Sequence, residues 1–232
     1  MTRAPVLSFT DRGLYCAAGD FFIDPWRPVA RAVITHGHSD HARPGHDTYL
    51  CTVLTAPVLK LRLGDVRMET LPYGVPLRIG GAEVSFHPAG HLPGSAQVRV
   101  EVGGEVWVVS GDYKTEADGL ADPFVPVRCH TFVSECTFGL PVFRWAPQAE
   151  VLSGINAWWR ANAAAGRASI LGAYALGKAQ RILAGLDPGI GPILTHGAVE
   201  NVNEALRAAG VALPATQRVM PEARPATRPG AL

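Results

Sequence analysis

The stretch THGHSDHARPGH at positions 35–46 constrains the fold more than any other part of this 232-residue chain. It follows the apolar run RAVIT at 31–35, which is typical of a buried strand, so its polar residues fall in a loop that a rigid sheet would hold in place. The loop contains four candidate metal ligands: His36, His38, Asp40 and His41. A polar loop that is rich in histidine by chance is disfavoured, because HxHxDH is far more restrictive than a single HxH.

Two further candidate ligands come after other apolar runs. His91 comes after EVSFHPA at 83–89, and Asp112 ends EVWVVSGD at 105–112. Because strand ends can deliver side chains to one edge of a sheet, we expect both residues near the histidine-rich loop. Three imidazoles and a carboxylate suit an ion such as Zn²⁺, and the remaining aspartate and histidine could hold a second ion. Two adjacent divalent ions activate a shared water for in-line attack, so the pattern predicts hydrolysis.

The pattern of apolar residues changes near residue 145. Short apolar runs bounded by glycine, proline and aspartate predict a mainly β region before this point. The predicted strands lie at 31–35, 49–55, 83–89, 96–102, 105–112 and 131–135. We therefore place a first domain at 1–145.

Helical and strand patterns alternate after this boundary, which favours βαβ units and a parallel sheet. The predicted helices lie at 147–166, 176–186 and 199–210, and the predicted strands at 168–175 and 191–196. This part is a partial α/β segment over 146–212. A proline-containing tail without apolar periodicity follows at 213–232 and is expected to be flexible.

The composition of the chain excludes several classes of protein. It is 47% hydrophobic and 18% charged, as in ordinary globular proteins, and no apolar run approaches the roughly 18–20 residues of a membrane span. The N-terminus lacks the apolar core of a signal peptide. A net charge of +1 gives the whole molecule no attraction for polyanions or for an anionic membrane. The four cysteines form no CxxC pair, so we expect reduced thiols and a cytoplasmic location.

The order and spacing of HxHxDH at 36–41, Gly-His at 90–91 and Gly-Asp at 111–112 resemble those of the metallo-β-lactamase fold. The segments FFIDPW, AGHLPGSAQ, VSGDYK and SECTFGLP resemble its β-CASP nuclease branch, and TFGLPVFRW and AYALGKAQRIL resemble the bacterial ligase-associated DNA damage response exonucleases. This resemblance implies an α+β fold, an αββα sandwich followed by the start of an inserted α/β domain. It also implies a metal-dependent phosphodiesterase that acts as a DNA exonuclease in end processing or repair.

The resemblance further implies roles for single residues. His36, His38 and His91 would bind one Zn²⁺, Asp40 and His41 a second, and Asp112 would bridge the two. Asp24 would orient the loop from behind, a kind of support that metal-bound histidines usually need. Asp20 competes for this role, and Asp24 is favoured because it ends the apolar run FFI.

Two other groups of residues receive roles from the resemblance. Asp40 and Glu135 are the carboxylates expected to take part in catalysis, Glu135 either by supporting a metal ligand from behind or by handling protons. Lys178 and Arg181, at the start of a predicted helix, are candidates for contact with nucleic acid, since a phosphate could meet both the cations and the helix amides. A solvated helix face is the equal alternative.

One departure from the family pattern concerns the second metal. The family closes that site with another histidine far downstream, and no evident copy precedes Leu232. His196 matches a residue of the inserted domain by its position. We therefore expect a chain truncated at its C-terminus, with a weakly occupied second metal position and uncertain activity.

Three functions compete at this point. The first is a DNA exonuclease that uses Zn²⁺, with Mn²⁺ as the alternative metal, single-stranded or tailed DNA as partner, RNA as a second substrate and a DNA ligase or helicase as protein partner. The second is a small-molecule metallohydrolase acting on a thioester, lactone or β-lactam, because fold alone does not decide substrate. The third is a catalytically impaired relative that only binds nucleic acid.

Overall fold

A computed structural model describes residues 4–220 and 230–232 of the chain. The chain divides into two compact units after Thr137, so the boundary near 145 predicted from the sequence falls inside the second unit. Within the described residues, no helix has the length and apolar character that crossing a bilayer requires.

The first unit contains a six-stranded sheet in the order β1 to β6. Its strands are β1 (Ser8–Phe9), β2 (Leu14–Cys16), β3 (Phe21–Ile23), β4 (Arg31–Val33), β5 (Thr48–Thr52) and β6 (Met68–Leu71). The pairs from β3 to β6 are parallel, whereas β1, β2 and β3 pair antiparallel. Because β4 to β6 run in one direction, the loops after them emerge at one edge of the sheet. The HxHxDH loop begins at this edge, after β4.

A five-stranded sheet, in the order β11-β10-β9-β8-β7, completes the strands of the first unit. Its members are β7 (Leu77–Ile79), β8 (Ala82–Pro88), β9 (Ala96–Val102), β10 (Glu105–Val109) and β11 (Thr131–Val133), and helix α1 (Ala56–Leu63) follows β5. Alternate residues of both sheets, such as Phe21 and Val33 from one and Phe86 and Val98 from the other, share one buried core. This mixed architecture agrees with the predicted α+β class, and the αββα sandwich itself stays a prediction.

The second unit is mainly helical. It contains α2 (Gln148–Ala164), α3 (Lys178–Ala184), α4 (Gly197–Ala208) and a parallel pair of short strands, β12 (Leu194–Thr195) and β13 (Gln217–Arg218). Trp159 of α2 is fully buried against Leu183, Leu186 and Ile193. The parallel pair with α4 between its strands is a βαβ connection, but its second strand, β13, lies in the segment 213–232 that was predicted to be a tail, so this unit differs from the predicted one.

The segment 168–175 of the second unit differs from its sequence prediction. It is not a strand, and Ile170 is 89% exposed. Its apolar residues suit a strand, but a strand also needs a ladder of bonds to a neighbour. The backbone bonds from Ser169 N–H to Ala231 O and from Ala179 N–H to Tyr174 O do not form one.

The described part of the predicted flexible tail makes defined contacts. Gln217–Arg218 forms β13, and the indole N–H of Trp159 donates to Gly230 O at 2.9 Å. The flexibility of the segment 213–232 stays a prediction. Residues 221–229 of that segment lie outside the described residues.

Candidate metal centre

Four side chains from three loops converge at one point of the first unit. The ligand atoms of His36, His38, His91 and Asp112 all lie within 4.8 Å of one another. His36 Nε2 is 3.0 Å from His38 Nδ1, and His38 Nδ1 is 3.3 Å from His91 Nε2. Asp112 Oδ2 lies 3.7 Å from His36 Nε2 and 3.5 Å from His91 Nε2.

These distances fit the ligand shell of a small divalent ion. A tetrahedral Zn²⁺ with bonds of about 2.0–2.1 Å places its ligand atoms roughly 3.3 Å apart. Four of the six separations between these ligand atoms are 3.0 to 3.7 Å and scatter around this value, and all six are within 4.8 Å. Imidazole nitrogen and carboxylate oxygen are also the ligands that this ion accepts. This His/Asp group could therefore hold a metal ion.

The neighbours of His36 determine its tautomer. The Thr35 hydroxyl donates its only proton to Asp24 Oδ2 at 2.6 Å, and Thr35 Oγ1 also lies 3.1 Å from His36 Nδ1. Since that hydroxyl proton is already used, His36 Nδ1 must carry the proton of this second bond. The lone pair of His36 then sits on Nε2, the nitrogen that faces the cluster.

The protonation of the two central groups is set by their surroundings. His36 is completely buried, and this burial, reinforced by the neighbouring imidazoles, holds its pKa well below the ordinary value. The hydrogen bond from His41 lowers the pKa of Asp112 despite its partial burial. The cluster therefore offers a neutral imidazole and an ionised carboxylate, the forms that bind metal.

Asp24 and Asp112 hold His41 between them. His41 Nδ1 is 2.7 Å from Asp24 Oδ2, and His41 Nε2 is 3.2 Å from Asp112 Oδ1. Burial opposes a charge on His41, but the hydrogen bonds to Asp112 and Asp24 outweigh it and raise the pKa of His41 to about 10. Asp40 Oδ2 lies 3.7 Å from the same Nε2, so two carboxylates and an imidazole also gather on this side of Asp112.

Asp24, which contacts His41, has a left-handed backbone conformation. Its φ is +43°, in the left-handed region that aspartate tolerates better than most residues. Its Oδ1 accepts the Thr35 backbone N–H at 2.8 Å, so one carboxylate contacts both the start of the HxHxDH loop and His41. Asp20, the competing candidate, instead accepts the Tyr15 hydroxyl at 2.9 Å.

Close backbone contacts bring the other two loops to the cluster. The Ala96 N–H donates to Thr35 O at 2.8 Å, which ties the start of β9 to the HxHxDH loop. Ser95 Oγ accepts the backbone N–H of His91 at 3.0 Å. Gly111 has a φ of +56°, and a Cβ there would lie 2.7 Å from Thr35 Oγ1. A side chain at position 111 would therefore displace the loop that carries His36.

The remaining predicted residues make other contacts. Glu135 follows β11, the parallel neighbour of β10, and its Oε2 accepts the Thr137 N–H at 2.8 Å. Lys178 and Arg181 belong to α3 of the second unit, where Lys178 Nζ lies 5.1 Å from the ring centroid of Tyr174. His130, outside the cluster, accepts the Val106 N–H at 3.0 Å.

Three supporting residues were missed by the sequence analysis: Thr35, Arg62 and Ser95. Arg62 lies on α1 and donates to Gly37 O at 2.7 Å, inside the HxHxDH loop. Its helix could have been anticipated, because TAPVLKLRLG at 55–64 has proline in its first turn and glycine at its end. Thr35 and Ser95 carry no comparable sequence signal, since their roles depend on contacts within the folded loops.

Several known proteins are similar to this chain. The protein named "Probable DNA ligase" from Opitutus terrae is 32% identical over 205 residues, 87% of this chain and 20% of that protein. Ribonuclease TTHA0252 of Thermus thermophilus is 31% identical over 147 residues, 51% of this chain and 34% of that protein. Endoribonuclease YSH1 of Candida albicans is 31% identical over 123 residues, 52% of this chain and 14% of that protein. The chain thus spans about a third or less of the length of these relatives.

A solved structure gives a more distant likeness. A protein of unknown function from Enterococcus faecalis V583 matches 87% of this chain and 54% of its own, with a TM-score of 0.55 at 13% identity. At this identity the match concerns the fold alone. No protein-family model matches the chain. Together with the metal-ligand motifs, the similarity to the probable DNA ligase and the two ribonucleases supports a place for this chain in the metallo-β-lactamase/β-CASP superfamily.

Proposed function

We propose that this chain is a metal-dependent phosphodiesterase that trims DNA ends during end processing or repair. The observation that carries the proposal is the convergence of His36, His38, His91 and Asp112 within 4.8 Å, with His41 bonded to Asp112 beside them. Two of the relatives are named as ribonucleases, and the match that extends over 87% of the chain is to a protein named as a DNA ligase. Cleavage of a nucleic acid is the function that these observations support best.

In this proposal the cluster holds two ions. His36, His38 and His91 would hold one, Asp40 and His41 would hold the other, and Asp112 would contribute to both; His41 would release its Nε2 proton on binding, because a histidine ligand must be neutral. Divalent ions at such a site lower the pKa of a bound water and offset the negative charge of a phosphodiester. Zn²⁺ suits the imidazole-rich ligand set, and Mn²⁺ is the alternative.

The protein's own groups orient the reactants and move protons. Asp24 fixes the ring of His41 through its 2.7 Å bond to Nδ1, leaving Nε2 toward Asp112. The side chain of Asp40 is 71% exposed, so its carboxylate can meet a water that arrives from solvent and accept a proton on Oδ2. Glu135 would receive a proton on Oε1, because its Oε2 accepts the Thr137 N–H.

The choice of DNA rests on the extent of the similarity. The match to the probable DNA ligase extends over most of this chain, whereas the ribonuclease matches cover about half of it. Because only a fifth of the ligase-named protein is matched, the joining reaction in its name need not belong to the shared segment. In the proposal, single-stranded or tailed DNA is the substrate, and Lys178 and Arg181 contact its phosphates.

The direct test is cleavage by purified protein with added Zn²⁺ or Mn²⁺. We expect shortening of end-labelled single-stranded and tailed DNA, abolished in His38→Ala and retained in His130→Ala, which removes an imidazole outside the cluster. Labelled RNA of the same sequence and a chromogenic β-lactam serve as competing substrates. Turnover of the lactam without any cleavage of nucleic acid, or cleavage that survives in His38→Ala, contradicts the proposal.

A further inference from the structure

A second candidate binding surface lies in the first residues of the second unit. Three aromatic rings, those of Phe138, Phe143 and Trp145, contact one another in a segment without helix or strand. The centroid of Phe138 lies 5.1 Å from that of Phe143 and 5.1 Å from that of Trp145, in edge-to-face arrangements. The rings of Phe143 and Trp145 are parallel to within 6°, with centroids 6.2 Å apart. We refer to these three rings as the 138–145 platform.

The platform is open to solvent although its rings are large and apolar. Phe138 is 57% exposed and Trp145 is 70% exposed. Leu140 and Val142, between them in the sequence, are 66% and 74% exposed. Single exposed apolar residues need no explanation, but several in one short segment mark a surface that binds something.

The backbone holds the platform in a defined shape. A turn is closed by the bond from Phe143 N–H to Leu140 O at 3.2 Å; Pro141 restricts φ inside this turn, and Pro147 restricts φ after the last ring. The rings also support one another through their mutual contacts. A ligand would therefore meet an arranged surface rather than three independent side chains.

The charge of the segment favours an anionic ligand with flat faces. No aspartate or glutamate occurs from 136 to 149, and Arg144 lies between two of the rings in the sequence. Within the part of the chain that the structure describes, the exposed Arg144 side chain has no hydrogen bond or ion pair. Aromatic faces with a free guanidinium and no carboxylate match the bases and phosphates of a single-stranded nucleic acid.

We infer that the 138–145 platform binds one or two unpaired nucleotides, with bases stacked on Trp145 and Phe138 and a phosphate near Arg144. This inference rests on the proposed function for its substrate class and adds the surface that selects a single strand. A duplex keeps its base faces covered by stacking, so it cannot make these contacts without opening. An apolar protein surface would contact the rings, but it would offer no anionic group to the Arg144 guanidinium.

The inference is tested by binding in the absence of metal. Fluorescence anisotropy with a labelled 20-nucleotide oligo-dT and excess EDTA measures association of the full chain without cleavage. Base–aromatic stacking contributes about 1–3 kcal/mol per base, so Trp145→Ala and Phe138→Ala should each raise Kd roughly 5- to 160-fold. Trp145→Phe, which keeps an aromatic face, should recover most of the affinity.

Matched control variants separate base stacking from nonspecific hydrophobic binding. Val142→Ser removes an apolar side chain of comparable exposure but no ring, and Trp158→Ala removes another exposed indole, on α2. Both should bind oligo-dT within about twofold of the unmodified chain, and a 20-base-pair duplex should bind weakly to every variant. Unfolding curves measure whether each variant folds. We expect all of them to fold, because the substituted side chains are exposed.

Other results overturn the inference. No binding of oligo-dT, unchanged binding in Trp145→Ala and Phe138→Ala, or an equal loss in Val142→Ser would each do so. Equal affinity for duplex and single strand would do the same. Because metal is absent from the assay, loss of cleavage with platform binding intact counts against the proposed nuclease alone. Metal-dependent cleavage that persists without platform binding counts against this inference alone.

Discussion

Each unit of this chain holds a partly or fully buried carboxylate among polar side chains, but the neighbours of the two carboxylates differ in kind. Glu200, on α4, accepts hydrogen bonds from the hydroxyls of Thr195 and Thr216 and forms an ion pair with Arg207 at 3.0 Å. Asp112 instead faces imidazole nitrogens, and His36 presents a lone pair toward it. The hydroxyls and the guanidinium around Glu200 are donors, whereas Asp112 has a donor in His41 on Oδ1 and faces Nε2 of His36 and His91 with Oδ2.

The difference separates a structural cluster from a binding site. A buried carboxylate that has enough donors needs nothing more and stabilises the fold around it. At the first cluster four ligand atoms lie within 4.8 Å of one another, and the Nε2 lone pair of His36 faces Asp112 Oδ2 at 3.7 Å, so a bound cation would offset the repulsion between these two acceptors. We therefore expect changes at the two clusters to act on different properties of the molecule.

The largest effect should come from removing the acceptor at the centre of the first cluster. Asp112→Asn keeps the size of the side chain and removes its charge, so it should lower metal-dependent cleavage by more than about 100-fold. That figure is the upper range for groups that only support a ligand, and Asp112 lies among the ligands themselves. The free energy of unfolding in EDTA should fall by less than in Glu200→Ala, because the side chain is 31% exposed and His41 keeps its bond to Asp24. A large loss of stability with normal cleavage would show instead that Asp112 stabilises the fold and is not needed for cleavage.

Glu200→Ala should have the opposite signature. It leaves Arg207 and two hydroxyls without their shared partner, and breaking such a buried pair costs about 3 kcal/mol of unfolding free energy. Metal content per folded chain should stay unchanged. Urea unfolding and metal analysis on the same samples give both values, and a drop in bound metal would show that the clusters are not independent.

Asp24→Asn tests the support behind the first cluster. It weakens the bond that orients His41, so metal affinity should fall by about 10- to 100-fold. Asp20→Asn is the matched control, since both aspartates have a positive φ that asparagine also tolerates. Competition with a chromogenic chelator measures the metal affinity of both variants. Equal affinities would show that Asp24 does not support the metal site.

The smallest effect concerns acid stability. Burial opposes the charge of Glu200, but its hydrogen bonds outweigh burial and lower its pKa below the unfolded value of about 4.3. The stability that this shift contributes is present above that unfolded value and is lost as pH falls through the lower folded pKa. The stability difference between the unmodified chain and Glu200→Gln should therefore shrink from pH 6 toward pH 3. Chemical unfolding across this range measures it, and a difference independent of pH contradicts the assignment.

Local patterns in the sequence were enough to anticipate the proximity of His36, His91 and Asp112. Each residue comes shortly after an apolar run, and a strand delivers the loop after it to the edge of its sheet. Their roles as ligands stay predictions. Arg62 was missed because α1 was not predicted, although Pro57 and Gly64 mark its ends.

Contacts between distant segments could not be predicted in this way. The apolar residues at 168–175 suit a strand, yet Ile170 is exposed because pairing depends on which segment lies beside it. Thr35 acquires its role only through Asp24, eleven positions earlier, and Gly111 is needed only because Thr35 lies against it. Such requirements arise from tertiary packing and leave no periodic trace in the sequence.

The central claim is that the His36, His38, His91 and Asp112 cluster is a metal site, and counting bound ions tests it most directly. Native mass spectrometry of the full chain, dialysed against Zn²⁺ and then against metal-free buffer, should show at least one tightly held ion per chain. His38→Ala should lose that ion while His130→Ala keeps it. The same number of bound ions in His38→Ala as in the unmodified chain would contradict the account.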